Sequence, residues 1–315
     1  DLGADERDRL VDGRPALVGG RDGLAAADRD RANRARLAAA RRATEAEVAG
    51  LERRRGTATG FGDLQEVEAR LAAVRGRLTR ILAIDTALAG DRALLAVDPE
   101  SGRAAIAAGD VDRAAHVGVF VPGFTARAED LPGRMRELEA LTRPDTAVVA
   151  WYDYPAPQWS EVTDPARSVL TPRVAEDASA RLRSFLTGLT AGHVTAIGHS
   201  YGTVTVARGV LGAPTVDDVV LLGSPGVTPL PRQPTWVAEA RGDPVADAGW
   251  FGPDPNGVPG LRVLATDGSW GHRGYLEPGS TSAAGIAAVV QGRPQDAALD
   301  PSVGVGDRLR RLLGP

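Results

Sequence analysis

The stretch HVTAIGHSYGTVTVARGVL, residues 193–211, decides the reading of this chain. Val194 to Ile197 read as a short strand. Gly198-His199-Ser200-Tyr201-Gly202 follows and fits the pattern G-x-S-x-G. Val204 to Leu211 then read as an apolar helix. A serine on a tight strand-to-helix turn needs small neighbours, which accounts for Gly198 and Gly202. Such a turn lifts the Ser200 oxygen clear of the sheet at a helix N-terminus. There the backbone N–H of Tyr201 faces a developing oxyanion. The pattern alone recurs by chance in a chain with 38 glycines. The flanking strand and helix are what make it a nucleophile candidate.

A serine hydroxyl needs a base, and the chain has four histidines: His116, His193, His199 and His272. His116 and His193 open strands, at the wrong end for Ser200. His199 adjoins the serine but points away on such a turn. His272 remains, in the loop GSWGHRGYL after an apolar run at 261–265. The acid is expected after the intervening strand, Thr235 to Ala240. Asp243 in Arg241-Gly242-Asp243-Pro244 is the first choice, where it would fix the His272 tautomer and stabilise the imidazolium. Asp247 is the alternative, and Asp267 is too near His272 along one loop to be preferred. A second oxyanion donor is expected from Val121-Pro122-Gly123-Phe124-Thr125, with the Phe124 N–H first and Thr125 next.

Around this centre, strands and helices alternate. HVGVFVPG from His116 and TAVVAW at 146–151 read as strands, as does DDVVLLGSPG from Asp217. Helices are expected over Ala128 to Leu141, Val174 to Leu189, Ser282 to Gln291 and Val305 to Leu313. Continuous apolar strands between helices predict a mostly parallel sheet covered on both faces. Ligands bind such sheets at the carboxyl ends of the strands. RALLAVDPESGRAAIAAGD predicts a leading β-hairpin at about 92–109.

The first ninety residues differ. Leu24 to Arg55 is an Ala- and Arg-rich run without proline, a helix by propensity. GTATGFG at 56–62 breaks it. Asp63 is then a candidate cap, with Glu66 three residues on. Leu64, Val67, Leu71, Val74, Leu78 and Ile81 form an amphipathic stripe. The division expected is an N-terminal helical hairpin over 1–90 and a catalytic α/β domain over 91–315. The hairpin is expected to pack on the main domain and is a candidate surface for a protein partner.

Composition excludes much. The 315 residues are 43% hydrophobic and 25% charged, ample for a sizeable core. The net charge of -4 offers no global attraction for nucleic acid. Without cysteine there is no thiol nucleophile, disulfide or Cys-ligated metal site, and four histidines leave little for a metal centre. No cofactor is expected. No run of 18 apolar residues predicts a transmembrane segment. The chain starts at Asp1, so either a cytoplasmic or a secreted location fits.

The five tryptophans, Trp151, Trp159, Trp236, Trp250 and Trp270, all fall between the 146–151 strand and the His272 loop. An aromatic substrate pocket is one reading and loop plugs against the core the other. Thr125, Trp151, Tyr154 and Trp270 are the pocket candidates.

Several blocks together resemble a family of predicted α/β-hydrolases known mainly from actinobacterial genomes, long carried as a domain of unknown function. They are DRANRARL at 30–37, HVGVFVPGFTA at 116–126, AWYDYPAP at 150–157 and the GHSYGTV run from 198. DDVVLLGSPGV at 217–227, RGDPVA from 241 and HRGYL at 272–276 complete the set. The resemblance spans about 26–292 and implies the α/β-hydrolase fold, with Ser200, Asp243 and His272 as the triad. It implies an esterase, a lipase or another hydrolase acting on a small-molecule or lipid ester, without fixing the substrate. An acyltransferase or thioesterase would use the same triad. A non-catalytic interaction protein on this scaffold is the alternative of a different class.

Overall fold

A computed structural model describes residues 4–301; the helix expected over Val305 to Leu313 lies outside the described residues. Helices α1 (Ala4–Gly13), α2 (Pro15–Gly19), α3 (Ala26–Thr57) and α4 (Phe61–Ala87) come first. The hairpin strands β1 (Arg92–Asp98) and β2 (Arg103–Ala108) follow. Alternation then begins: β3 (His116–Val121), α5 (Leu131–Glu139), β4 (Thr146–Trp151), α6 (Arg173–Thr187), β5 (His193–His199) and α7 (Tyr201–Gly209). β6 (Asp218–Leu222), β7 (Thr235–Ala238), β8 (Arg262–Val263) and α8 (Thr281–Val290) complete it.

Among the described residues eight strands form one sheet in the order β1-β2-β4-β3-β5-β6-β7-β8. From β4 to β8 every neighbouring pair is parallel, while β1-β2 and β2-β4 are antiparallel. Side-chain alternation divides the core between two faces. Val117, Val119 and Val121 of β3 pack with α6 and α7, whereas Phe120 packs with α4, α5 and α8. This is the mostly parallel, doubly covered sheet of the α/β-hydrolase fold, preceded by helices. No described helix is long and apolar enough to cross a membrane.

The edge strand β1 would expose unpaired backbone groups if left open. Side chains of α3 cover it. The Asp30 carboxylate accepts from Leu94 N–H at 2.6 Å, and Asn33 donates to Leu94 O at 3.0 Å. Arg34 donates to Arg92 O at 2.5 Å and Arg29 to Leu95 O at 3.0 Å. Hence a helix whose own apolar face is thin still docks firmly. Farther out, Leu51 of α3 meets Leu71 and Val74 of α4.

Two local expectations are corrected. Asp63 does not cap α4: the helix starts at Phe61, and the Asp63 carboxylate accepts from Arg54 at 2.8 Å instead. The helix expected from Ala128 starts as a 3-10 turn at Ala128–Asp130, where Asp130 accepts from Arg127 N–H at 2.9 Å, and becomes α5 at Leu131. Pro132, without an N–H, sits in its first turn.

Candidate active site

Five loops converge at the carboxyl ends of β3, β5, β6, β7 and β8. Ser200 stands between β5 and α7 as the N-cap of α7, with φ 56° and ψ -130°. A non-glycine residue at positive φ is held there against strain of order 1–3 kcal/mol. The surrounding packing explains the glycines. A Cβ on Gly198 would lie 2.6 Å from Thr203 Cα, and one on Gly202 would lie 2.3 Å from Val121 O. The loop after β3 crosses just as closely: a Cβ on Gly123 would lie 2.6 Å from Ser200 Cβ and 3.0 Å from Tyr201 N. The 121–125 loop therefore lies directly against the serine turn. The Thr125 N–H already donates to Pro157 O at 2.9 Å, which leaves Phe124 as the donor candidate of that loop.

Asp243 follows β7, and its side chain is fully buried. His272 Nδ1 lies 2.9 Å from each of its carboxylate oxygens. The Val245 N–H donates to Oδ1 at 2.9 Å, and the Tyr275 hydroxyl donates to Oδ2. Burial pushes the Asp243 carboxyl up, but the hydrogen bonds from His272 and Tyr275 outweigh it and hold it at about 2. An ionised carboxylate only accepts, so Nδ1 of His272 carries a proton, and in the neutral ring the lone pair is then on Nε2. The loops bearing acid and base are tied by Gly271 N–H donating to Arg241 O at 2.9 Å. Asp247 lies in a 3-10 turn at 246–248, and its side chain is outside the described residues.

Ser200 and His272 line one cleft of about 410 Å3. Among the described residues no hydrogen bond joins them; such contacts often tighten only when substrate is bound. The other two strand-opening histidines, His116 and His193, face each other across β3 and β5 at the opposite end of the sheet. His193 pairs there with Asp218 at 2.9 Å.

The walls of the cleft are mostly apolar, with Phe124, Trp159, Leu170, Val245, Trp250 and Phe251, and Arg273 lines it as a charged residue. Thr125 lines it too. Trp151 and Tyr154 do not. They are buried and stacked with ring centroids 5.9 Å apart, and the Tyr154 hydroxyl donates to Pro122 O beneath the 121–125 loop. Trp270 lies outside the cleft as well, 70% exposed, over Gly242 in a neighbouring groove. Trp159 and Trp250 take the places at the mouth, 73% and 60% exposed. The signal that could have found them is their polar, Pro-rich setting, which offers a large aromatic no strand or helix to pack into. Tyr275, absent from the candidates, emerges as a direct partner of Asp243.

A family profile described as "Alpha/beta hydrolase" matches residues 98–245, which contain Ser200 and Asp243 but not His272. An uncharacterized protein of Mycobacterium tuberculosis (strain H37Rv) is 30% identical over 239 residues, covering 66% of this chain and 84% of that protein. An uncharacterized protein of Mycobacterium bovis is similar to the same extent. A second uncharacterized Mycobacterium tuberculosis protein is 38% identical over 154 residues, 42% of this chain and 23% of its own length. The chain belongs to this actinobacterial family of α/β-hydrolase-fold proteins.

Proposed function

We propose that this member of the α/β-hydrolase family is a serine-dependent carboxylic ester hydrolase. One observation carries the reading. Ser200 stands at positive φ on a strand-to-helix turn, in the same cleft as a histidine whose Nδ1 is bound by a buried carboxylate. In this reading His272 Nε2 takes the Ser200 proton as Oγ attacks the ester carbonyl. The N–H groups of Tyr201 and Phe124 hold the oxyanion, and Asp243 stabilises the imidazolium. His272 then protonates the leaving alcohol. Water, activated by the same histidine, attacks the acyl-enzyme, and Ser200 recovers its proton as the acid leaves. The lining supports an ester with an apolar acyl or alcohol part, because Phe124, Leu170, Trp250 and Phe251 offer it apolar surface to bury against.

The test is turnover of chromogenic esters with acyl chains from two to sixteen carbons, with wild type and Ser200→Ala in parallel. Turnover by wild type alone supports the reading, and the preferred chain length sizes the cleft. Equal rates for both proteins, or none for either, would count against it.

A further inference from the structure

Resting on that reading, we infer that Tyr275 is a positioning residue that acts on His272 through Asp243. Tyr275 is buried three residues beyond His272, on the 3-10 turn Gly274–Leu276. Its hydroxyl has two partners. The Ala240 N–H donates to it at 3.1 Å, and it faces Asp243 Oδ2. An amide only donates and an ionised carboxylate only accepts, so the direction of both bonds is set. The phenol proton must go to Asp243.

This matters because His272 Nδ1 is equidistant, at 2.9 Å, from the two Asp243 oxygens. A carboxylate shared in that way is free to rock about its Cβ–Cγ bond unless both oxygens are held from elsewhere. Val245 N–H holds Oδ1 and Tyr275 holds Oδ2. The backbone opposite is shaped for the same contact. Gly223 has φ 52°, and a Cβ there would lie 2.5 Å from Asp243 Oδ2 and 2.9 Å from the Tyr275 oxygen. Two elements, the turn after β6 and the turn after His272, thus close on one carboxylate oxygen. Tyr275 fixes its orientation and takes up part of its charge, which limits how strongly it holds a proton on the imidazole.

Tyr275→Phe therefore leaves more negative charge facing His272 and a looser carboxylate. Its expected signature is kcat lowered about tenfold with KM unchanged. The acid limb of the rate of Ser200 labelling by a fluorophosphonate moves up by about half a pH unit or more, because the imidazolium is favoured. The downfield proton resonance of the His272 Nδ1–H moves in the same variant, and in the Asp243→Asn background Tyr275→Phe adds nothing further. Because the phenylalanine also strands the Ala240 N–H, Gly223→Ala is the second variant; it crowds the same oxygen and shifts the same resonance. The resonance is read on resting protein, so it tests Tyr275 even where wild type proves unlabelled and inactive. If both variants fold and leave both the resonance and the acid limb unmoved, Tyr275 is a packing residue and the inference is overturned.

Discussion

His199 Nε2 donates to the main-chain carbonyl of His272 at 2.6 Å. The residue immediately before the candidate nucleophile thus grips the backbone of the candidate base, with their rings 4.8 Å apart. The serine turn and the histidine loop are joined by that bond, whose two residues are 73 apart in the chain. His199→Phe keeps the ring volume and loses the donor. It is expected to lower kcat about ten- to hundredfold while the protein stays folded, because the base loop is no longer registered against Ser200. Steady-state kinetics with a far-UV spectrum check it. An unchanged kcat would mean that the loop is held by its other contacts.

The same histidine predicts an acid sensitivity. Burial, with His272 alongside, pushes His199 down from 6.5 to about 3. Between those values the unfolded chain binds a proton that the folded chain does not. Stability therefore falls as pH drops below about 6.5, by up to about 1.4 kcal/mol per pH unit. Urea midpoints at pH 7 and pH 5 should fall together for wild type and Ser200→Ala, and fall less for His199→Phe. Asp243, held at about 2, adds its own loss only below about pH 4.

Gly123→Ala places a Cβ 2.6 Å from Ser200 Cβ and 2.7 Å from the His199 carbonyl oxygen, atoms that rotamer changes cannot move away. The 121–125 loop must move away from Tyr201 N, spreading the two oxyanion donors. Loss of one such donor costs about a hundred- to thousandfold in kcat. The expected result is a folded protein with activity reduced on that scale. Near-normal kcat would remove Phe124 from the proposed oxyanion site.

Trp250 lines the cleft and fastens its mouth by donating to Leu170 O at 3.1 Å. Trp250→Ala removes apolar surface from the wall without touching Ser200 or His272. Activity towards long acyl chains is expected to fall about tenfold in kcat/KM, with acetyl esters little affected. A uniform loss across chain lengths would place Trp250 in the support of the loops and not in substrate contact.

Asn33 donates at 2.9 Å to Gly19 O and at 3.0 Å to Leu94 O, wholly buried between α2, α3 and the sheet edge. Asn33→Ala strands both carbonyls. A stability loss of about 1–3 kcal/mol is expected, read from denaturant midpoints, with kcat unchanged at 25 °C.

The sheet was legible because its strands are near-continuous apolar runs. Ser200 was legible because a strand, two glycines and a helix surround it, and His272 by elimination among four histidines. What stayed hidden depends on contacts between distant segments. The block DRANRARL is conspicuous as a string, but nothing local says that Asp30, Asn33 and Arg34 bond the backbone of β1. Aromatics show the same limit. Trp151 closes the run TAVVAW and is buried at the end of an interior strand, whereas Trp250 follows the acid loop and stands at the cleft mouth. Tyr275 could not be chosen over other tyrosines until the fold brought it to Asp243. The cap expected at Asp63 failed because the helix starts two residues earlier, at Phe61, which puts Asp63 inside its first turn, where its carboxylate accepts from Arg54.

The most direct test of the central claim is intact-protein and peptide mass spectrometry after exposure to a fluorophosphonate. A single adduct on Ser200 is predicted, absent from Ser200→Ala and strongly slowed in His272→Ala. No adduct on wild type, or one that persists in Ser200→Ala, would contradict the proposal that Ser200 is an activated nucleophile.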